Sequence, residues 1–322
     1  MAGHHGDVFS LAPPRSMVWT GTLAAAALAW LAGYLSGLTL TPDSRGLALA
    51  FGLSALLCLL WVPNASGRIA QLVRMIEALL LFALIGVLGA VLSYLAMLHS
   101  SGFADALLHR MDHALGFDWP AMRSYVERRD WLFLAFEKGY LACFWMPLAV
   151  FGLLWHAQRI GDVYRYLLAH GLALAATVGV FFFFPARATF AFYLAPGAPL
   201  PGNARHYGEI IAGLRDGTLT TLDLTNLGGI ITFPSFHAAM AILFVWGAWP
   251  ARHFRAPMLV VNGLMWLAAV PLGGHYVVDV IAGSAIAAGA IVLAVRLARG
   301  AAAAPAAASV PAAPGPVAVG AA

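Results

Sequence analysis

The stretch "HYVVDVIAGSAIAAGAIVLAVRL", residues His275–Leu297, decides the fold class of this chain. It is apolar almost throughout, and it is long enough for an α-helix to cross a hydrocarbon core about 30 Å thick. Two ionisable residues, His275 and Asp279, stand near its beginning, four residues apart and so on one helical face. Because ionisable groups are costly in a membrane helix, this pair needs an explanation, either structural or functional.

Apolar runs of this kind recur along most of the chain. Hydrophobic residues make up 61% of the 322 and charged residues 10%, against roughly 25% charged in soluble domains. The run lengths predict an all-α, polytopic membrane helical bundle with about eight transmembrane helices, and they exclude a β-barrel. The predicted spans are Met17 to Leu40, Gly46 to Val62, Leu72 to His99, Trp131 to His156, Val163 to Phe184, Pro234 to Trp249, Pro257 to Leu272 and His275 to Leu297.

Arginine placement predicts the orientation of the bundle. An even number of spans puts both termini on one side, and the positive-inside rule makes that side cytoplasmic. We therefore expect an integral, multi-pass protein, of the bacterial inner membrane, with the opposite side periplasmic. The arginines in the short connections of the cytoplasmic side are Arg68, Arg74, Arg159, Arg165, Arg252, Arg255, Arg296 and Arg299.

The sequence divides into four parts. Residues 1–16 form a cytoplasmic N-terminus, and residues 17–130 hold N-terminal transmembrane helices and an interfacial segment. Residues 131–299 are expected to form the membrane domain that carries His275 and Asp279 and, if these act chemically, the catalytic site. Residues 300–322 form an Ala/Pro-rich tail that lacks charge and is predicted to be disordered.

Two long connections lie on the non-cytoplasmic side. The first, between the third and fourth spans, mixes charged and apolar residues at helical spacing and predicts interfacial amphipathic helices that either cap the bundle or cover a site. The second, Arg187 to Thr232, contains a predicted short helix at Ala204 to Leu214. Connections this long are often functional.

Cysteine content and net charge indicate no further chemistry. Cys58 and Cys143 both lie within apolar runs, where small hydrophobic packing is the expected role, so neither a disulfide nor a metal site is predicted. The formal net charge of +4 is explained by topology, and no nucleic-acid partner is expected.

Three helix ends that carry polar residues fall on the non-cytoplasmic side. The stretches "FFFFPARATF", "ITFPSFHAAMA" and "PLGGHYVVD" end or begin the fifth, sixth and eighth spans. The side chains expected to meet there are Arg187, Ser235, His237, His275 and Asp279.

These residues suit a phosphate ligand. Pro234 fits the first position of a helix, which would leave the amides of Ser235, Phe236 and His237 to attract an anion. Gly274 permits close backbone approach before His275. Arg187 offers a planar set of donors that matches phosphate oxygens.

The two histidines and the aspartate suit phosphoryl transfer. A carboxylate at Asp279 that accepts from one imidazole nitrogen would leave the other nitrogen of His275 to attack phosphorus. His237 would then protonate the departing oxygen. A purely structural role explains one His/Asp pair well, but it explains the whole converging set poorly.

"FPSFHAAMA" followed by "GGHYVVDVIAG" resembles the type-2 phosphatidic acid phosphatase superfamily, over roughly the second half of the chain. The pattern of His275, Tyr276, Asp279 and Gly283 looks most like the inositol phosphorylceramide synthase branch, an inositolphosphotransferase group. The resemblance implies a six-helix phosphatase-type core. It also implies a phosphohistidine at His275, and neither a metal nor another cofactor.

The resemblance further implies substrate-binding roles near the catalytic residues. Ser235 and the Phe236 amide would bind phosphate oxygens, with Tyr276 and Gly274 beside them. Two departures affect the phosphate clamp: Ala268 and Ala269 stand where the common pattern has Ser-Arg, and Arg187 is followed by Ala188, not proline. Arg215 in the long connection is a candidate replacement cation, as are Arg205 and His206.

The leading hypothesis is a metal-independent membrane lipid phosphate phosphatase, with a lipid phosphate as its substrate partner. If an alcohol acceptor replaces water, the same chemistry makes a lipid head-group phosphotransferase. A lipid transporter or scramblase that binds a head group with the same residues is the alternative of another class, and a catalytically inactive scaffold is a third. The sequence identifies neither the lipid, the acceptor nor the oligomeric state.

Overall fold

The computed structural model describes residues 15–62, 67–159, 161–195 and 204–308. The first fourteen residues of the predicted cytoplasmic N-terminus and residues 309–322 of the predicted tail lie outside these ranges. The α-helices within them are α1 (Arg15–Leu35), α2 (Pro42–Trp61), α3 (Gly67–His99), α4 (Asp105–Ala114), α5 (Trp119–Glu127), α6 (Asp130–Leu141), α7 (Met146–His156), α8 (Gly161–Phe183), α9 (Thr189–Tyr193), α10 (Ala204–Asp216), α11 (Phe236–Ala248), α12 (Arg255–Ala268) and α13 (Val277–Ala308). Two short parallel strands, β1 (Thr39–Leu40) and β2 (Thr221–Leu222), pair Thr39 with Thr221 and Leu40 with Leu222.

Among the described residues, five helices are long and apolar enough to cross a membrane: α1, α2, α3, α8 and α13. The pair α6 and α7 adds a sixth if both belong to one span. These helices confirm an all-α, multi-pass integral membrane protein. By length and composition, the described residues thus give fewer full-length spans than the about eight transmembrane helices expected, because α11 and α12 have only 13 and 14 residues. At 1.5 Å per residue each is about 20 Å long, which is short for a hydrocarbon core of about 30 Å.

The predicted fourth span, Trp131 to His156, is not one continuous helix. Its halves α6 and α7 meet at 63°, with a 3₁₀ turn at Ala142–Phe144 between them. Pro147 lies in the first turn of α7. Proline has no N–H, and its ring clashes with the preceding turn, so a straight helix cannot run through this position.

Helix α8 lies in the middle of the bundle and packs against α3, α11 and α13. The short helix α11 also packs against α12, which in turn packs against α6. This places α11 among several longer elements. Helices α1 and α2 expose large apolar side chains, among them Trp30, Leu53 and Trp61, as expected for surfaces in contact with lipid.

A buried carboxylate ties α1, α3 and α8 together. Glu77 is fully buried, and its Oε1 accepts from Arg15 Nε at 2.5 Å and from Trp19 Nε1 at 2.6 Å. The hydroxyl of Tyr164 donates to Oε2 of the same carboxylate. Because a buried charge requires partners, this cluster fixes the relative positions of the three helices.

The two long connections contain the amphipathic helices that the sequence predicts. Helices α4 and α5 lie between α3 and α6, and α10 covers the predicted short helix at Ala204 to Leu214. Helix α10 buries Ile210, Ile211 and Leu214 while its opposite face stays exposed. At the other end of the chain, α13 continues through Ala308, so the start of the predicted tail is helical, in keeping with the high helix propensity of alanine.

Candidate active site

His275 lies in the turn before α13, and its imidazole is held from one side. Its Nδ1 is 2.8 Å from the carbonyl oxygen of Thr232. A carbonyl oxygen only accepts, so Nδ1 carries the proton and Nε2 of the neutral ring keeps its lone pair. His275 is 3% exposed. The ring therefore has the tautomer that a nucleophilic nitrogen requires.

Gly274 makes this turn possible. Its φ of 71° is a conformation that glycine adopts without strain, and a Cβ there would lie 2.7 Å from the ring of Phe190. The Gly274 carbonyl accepts from the amide of Thr189 at 2.8 Å. Gly274 thus supports the position of His275 through the backbone.

Asp279 is fully buried one turn after His275. Its Oδ2 lies 3.3 Å from His275 Nδ1 and accepts from the backbone amide of Tyr276 at 2.9 Å. The sequence predicted that this carboxylate orients the imidazole. In the structure, the Thr232 carbonyl is the nearer partner and shares that role, because the chain before α11 passes beside the His275 ring.

His237 comes from α11 and meets His275 across the site. The two ring centroids are 6.1 Å apart, with the ring planes 58° from each other. His237 also stacks on Tyr140 of α6, with centroids 4.3 Å apart and planes within 17°. Rings from α6, α11 and the start of α13 therefore form one cluster.

The start of α11 differs in detail from the sequence-based expectation. Pro234 does not occupy the first helical position: Ser235 is the N-cap, and its hydroxyl accepts from the amide of Ala238 at 3.3 Å. The Ser235 amide donates to the Asp279 carbonyl oxygen at 2.9 Å and does not point toward a ligand. The amides of Phe236 and His237, in the first helical turn, have no intrahelical acceptor.

Gly283 allows α13 to approach the start of α11 at backbone distance. A Cβ at this position would lie 2.0 Å from the carbonyl oxygen of Ser235. Gly283 is one turn after Asp279, whose carbonyl binds the Ser235 amide. Together these contacts set the separation of the helices that carry the two histidines.

Arg187 follows α8 in a segment whose backbone is bound at several points. Its amide donates to both carboxylate oxygens of Asp105, at 3.0 and 3.1 Å. The Ala186 carbonyl accepts from the Thr232 hydroxyl at 3.2 Å. The Arg187 side chain is 47% exposed, with Nε 3.9 Å from Asp105 Oδ2. The segment is thus fixed beside Gly274 while the guanidinium stays accessible.

Ala188 is strained, with φ 86° and ψ 156°. Non-glycine residues rarely take this conformation, which persists only where the surroundings impose it. Proline, with φ near −65°, cannot adopt it. The absence of proline after Arg187, noted above as a departure from the family pattern, therefore matches the backbone geometry here.

Arg215 has its donors engaged elsewhere. Its guanidinium donates to the carbonyls of Ser100 and Gly102 and to the Ser100 hydroxyl, and it lies 4.6 Å from the ring centroid of Phe103. Arg187 packs on the same ring at 4.9 Å. These contacts suit a residue that anchors the turn between α3 and α4, and a substrate-binding role for Arg215 stays a prediction.

Two carboxylates of α4 join the site, and the sequence reasoning missed them. Asp105 accepts from the Tyr276 hydroxyl at 3.1 Å as well as from the Arg187 amide. Asp112 accepts from the amides of Val277 and Val278, at 2.8 and 2.9 Å, and so caps α13. Burial raises the pKa of both carboxyls above their ordinary range. Their spacing of seven residues on an amphipathic helix was the available signal.

Within the ranges that the structure describes, no group of three or more His, Cys, Asp or Glu side chains is arranged to hold a metal ion. The predicted metal independence of the chemistry stays a prediction.

Comparison with known proteins adds one positive result. A family model described as the PAP2 superfamily matches residues 106–293, more than half of the chain. The match includes His237, His275 and Asp279. No curated protein and no solved structure matches the chain.

Proposed function

Because the chain belongs to the PAP2 superfamily, the group of type-2 phosphatidic acid phosphatases, we propose that it is a membrane lipid phosphate phosphatase that acts through a phosphohistidine. The family supports an enzyme of the phosphatase or phosphotransferase type. The observation that carries the proposal is the pairing of His237 and His275, with centroids 6.1 Å apart and with Nδ1 of His275 bound to a carbonyl. The inositol phosphorylceramide synthase branch stays a prediction.

The first step transfers the phosphoryl group to the enzyme. Nε2 of His275 attacks phosphorus, the bond from phosphorus to the lipid oxygen breaks, and protonated His237 gives its proton to that oxygen. Positive charge grows on His275 as the N–P bond forms. The Asp279 carboxylate, 3.3 Å from Nδ1, stabilises that charge.

The second step releases phosphate. Neutral His237 takes a proton from water as the water oxygen attacks phosphorus, and the N–P bond breaks to restore neutral His275. Inorganic phosphate leaves, and both histidines regain the states in which the cycle began.

Phosphate oxygens would be bound by groups on both sides of the histidines. The amides of Phe236 and His237 lie at a helix N-terminus, which favours an anion. The half-exposed guanidinium of Arg187 supplies a bidentate donor from the other side. Ser235, Gly274 and Tyr276 shape this site through their backbone and capping contacts.

Transfer to an alcohol is the second candidate. Here Nε2 of His275 attacks phosphorus, the bond to the lipid alcohol breaks, and the phosphorus stays esterified to the head group. An acceptor hydroxyl then takes the place of water, and the head-group phosphate passes from His275 to it as the N–P bond breaks. The 3% exposure of His275 favours transfer, because a nucleophile shielded from water can keep its phosphoryl group until an alcohol arrives. A transporter or scramblase gains less support, since the polar cluster lies at one end of the helices and the family is enzymatic.

We place the site on the periplasmic face of a bacterial inner membrane, with both termini cytoplasmic. The arginine-rich connections support this orientation. Labelling of single cysteines introduced at residues 110 and 253 with a membrane-impermeant reagent in intact cells tests it. Reaction at residue 253 and none at residue 110 would contradict the assignment.

Purified protein in detergent should be incubated with phosphatidate, with a polyprenyl diphosphate, and with phosphatidylinositol plus ceramide. Released phosphate indicates hydrolysis, and a new phospholipid indicates transfer. We expect His275→Ala to abolish either activity together with an acid-labile phosphoenzyme. His253→Ala, an exposed histidine outside the site, is the matched control. Full activity of His275→Ala would refute the proposed function.

A further inference from the structure

Tyr140 of α6 contacts both halves of the histidine pair. Its ring stacks on the face of His237, with centroids 4.3 Å apart. Its edge lies against Gly273, two residues before His275, where a Cβ would come within 2.8 Å of Tyr140 Cε2. One side chain therefore lies against both the helix that bears His237 and the turn that leads to His275.

The position of Tyr140 is set by close packing of its own helix. A Cβ on the preceding residue, Gly139, would lie 2.7 Å from Leu264 Cβ and 3.0 Å from the Leu264 backbone carbon. The α6 and α12 backbones thus approach each other directly at this point. Because interiors are closely packed, this contact fixes the backbone position from which the Tyr140 side chain reaches His237.

Face-on stacking has two consequences for His237. It restricts rotation of the imidazole while leaving the ring edge, where both nitrogens lie, available to a ligand. It also places the negative face of an aromatic ring over an imidazole that must carry positive charge to act as an acid. Water, which would otherwise hydrate the imidazolium, is excluded from that side.

We propose that Tyr140 is a positioning residue for proton donation by His237, and that its ring supports the imidazolium which protonates the lipid oxygen. This inference rests on the proposed phosphohistidine mechanism. It concerns the step in which the proton passes from His237 to the oxygen as the P–O bond breaks and the N–P bond forms.

The proposal is tested by the dependence of the rate on the leaving group. An alkyl oxygen, as in phosphatidate, needs a proton to depart. The 4-nitrophenolate anion leaves without one, because 4-nitrophenol is a much stronger acid than an alkyl alcohol. General acid catalysis contributes about 10²–10⁴ to a rate, so Tyr140→Leu should lower kcat on phosphatidate at least about tenfold. The same variant should change kcat on 4-nitrophenyl phosphate less than about threefold, and Tyr140→Phe should retain both rates. Tyr34→Leu, an exposed tyrosine on α1, is the matched control.

Equal losses on the two substrates, or no loss on phosphatidate, would overturn the role of Tyr140. If Tyr140→Leu does not elute as a folded protein, Tyr140→Met, which is also non-aromatic, takes its place in the same comparison, and Tyr140→Phe must still match the wild type. Failure of the underlying mechanism gives a different result. In that case the wild-type protein forms no phosphoenzyme from either substrate, or His275→Ala retains activity.

Discussion

The backbone amide of Ser235 donates to the carbonyl oxygen of Asp279 at 2.9 Å. The residue that caps the helix of His237 is therefore bound to the residue that supports His275. Since this contact joins the main chains at the start of α11 and in α13, the distance between the His237 and His275 rings depends on how closely these two helices approach.

Gly283→Ala should separate these two helices. The added Cβ would lie 2.0 Å from the Ser235 carbonyl oxygen, and neither backbone can yield locally. Overpacking of this kind costs about 1–3 kcal/mol, and a displacement near 1 Å at the reacting groups can lower a rate about 10²-fold. Thermal unfolding and kcat on phosphatidate measure the two effects. Gly289→Ala, on the same helix with open space around it, should leave kcat unchanged and raise the free energy of unfolding by about 0.5–1 kcal/mol, because alanine has the higher helix propensity. Equal behaviour of the two variants would contradict the close approach at Gly283.

Asp279→Asn should slow the reaction without changing the tautomer of His275. The Thr232 carbonyl still accepts from Nδ1, but the charge that stabilises the growing imidazolium is lost. Loss of an orienting carboxylate, when the tautomer also changes, costs about 10⁴ in kcat. Here we expect a smaller loss, about 10- to 10²-fold, measured as the rate of phosphoenzyme formation. A loss as large as that of His275→Ala would mean that the carboxylate alone orients the ring.

Asp112→Ala should destabilise the start of α13. The carboxylate accepts from the amides of Val277 and Val278, and its removal leaves both without a partner. Loss of a helix cap costs about 0.5–2 kcal/mol. Thermal unfolding in detergent measures the cost, with Asp43→Ala, an exposed first-turn aspartate of α2, as the comparison. A change no larger than that of the control would show that the cap adds no stability.

Ala188→Gly should relieve backbone strain next to Arg187. A non-glycine residue held in such a conformation destabilises the folded protein by about 1–3 kcal/mol, and glycine removes that strain. Glycine also has more conformational freedom in the unfolded chain, which lowers the gain by about 0.5–1 kcal/mol. We expect a net gain near 1 kcal/mol in the free energy of unfolding. Ala188→Pro should instead lower both stability and activity, since φ 86° is closed to proline. A stable, active Ala188→Pro protein would rule out the strained geometry.

Glu77→Ala should weaken the bundle at a distance from the histidines. It would leave the donors of Arg15, Trp19 and Tyr164 without their shared acceptor. Removing one partner of a buried ion pair costs about 3–5 kcal/mol. Unfolding by heat or by a denaturing detergent checks this, with the exposed Glu209→Ala as control. If Glu77→Ala and Glu209→Ala had the same unfolding midpoint, the cluster around Glu77 would not stabilise the bundle.

The helical class and the membrane location were predictable, because apolar run length is a local property. The i, i+4 spacing of His275 and Asp279 is local too, whereas the proximity of His237 to His275 was expected only from the predicted topology of the spans. Pro147 indicated the bend between α6 and α7, but the apolar run around it is long enough for one span and was interpreted as a single helix. Within the described residues, fewer helices have full membrane-spanning length than expected, since α11 and α12 have only 13 and 14 residues. The buried carboxylates Asp105 and Asp112 were overlooked because their seven-residue spacing on an amphipathic helix does not show which distant groups they bind.

By itself, the amino-acid sequence determined that this chain enters a membrane many times and carries His237, His275 and Asp279 at helix ends. Only the tertiary structure decided that the Thr232 carbonyl holds His275, that Tyr140 stacks on His237, and that Gly283 sets the spacing between α11 and α13. The reason is physical: hydropathy is a property of each segment, whereas hydrogen-bond partners and stacking distances arise from packing between segments far apart in the chain.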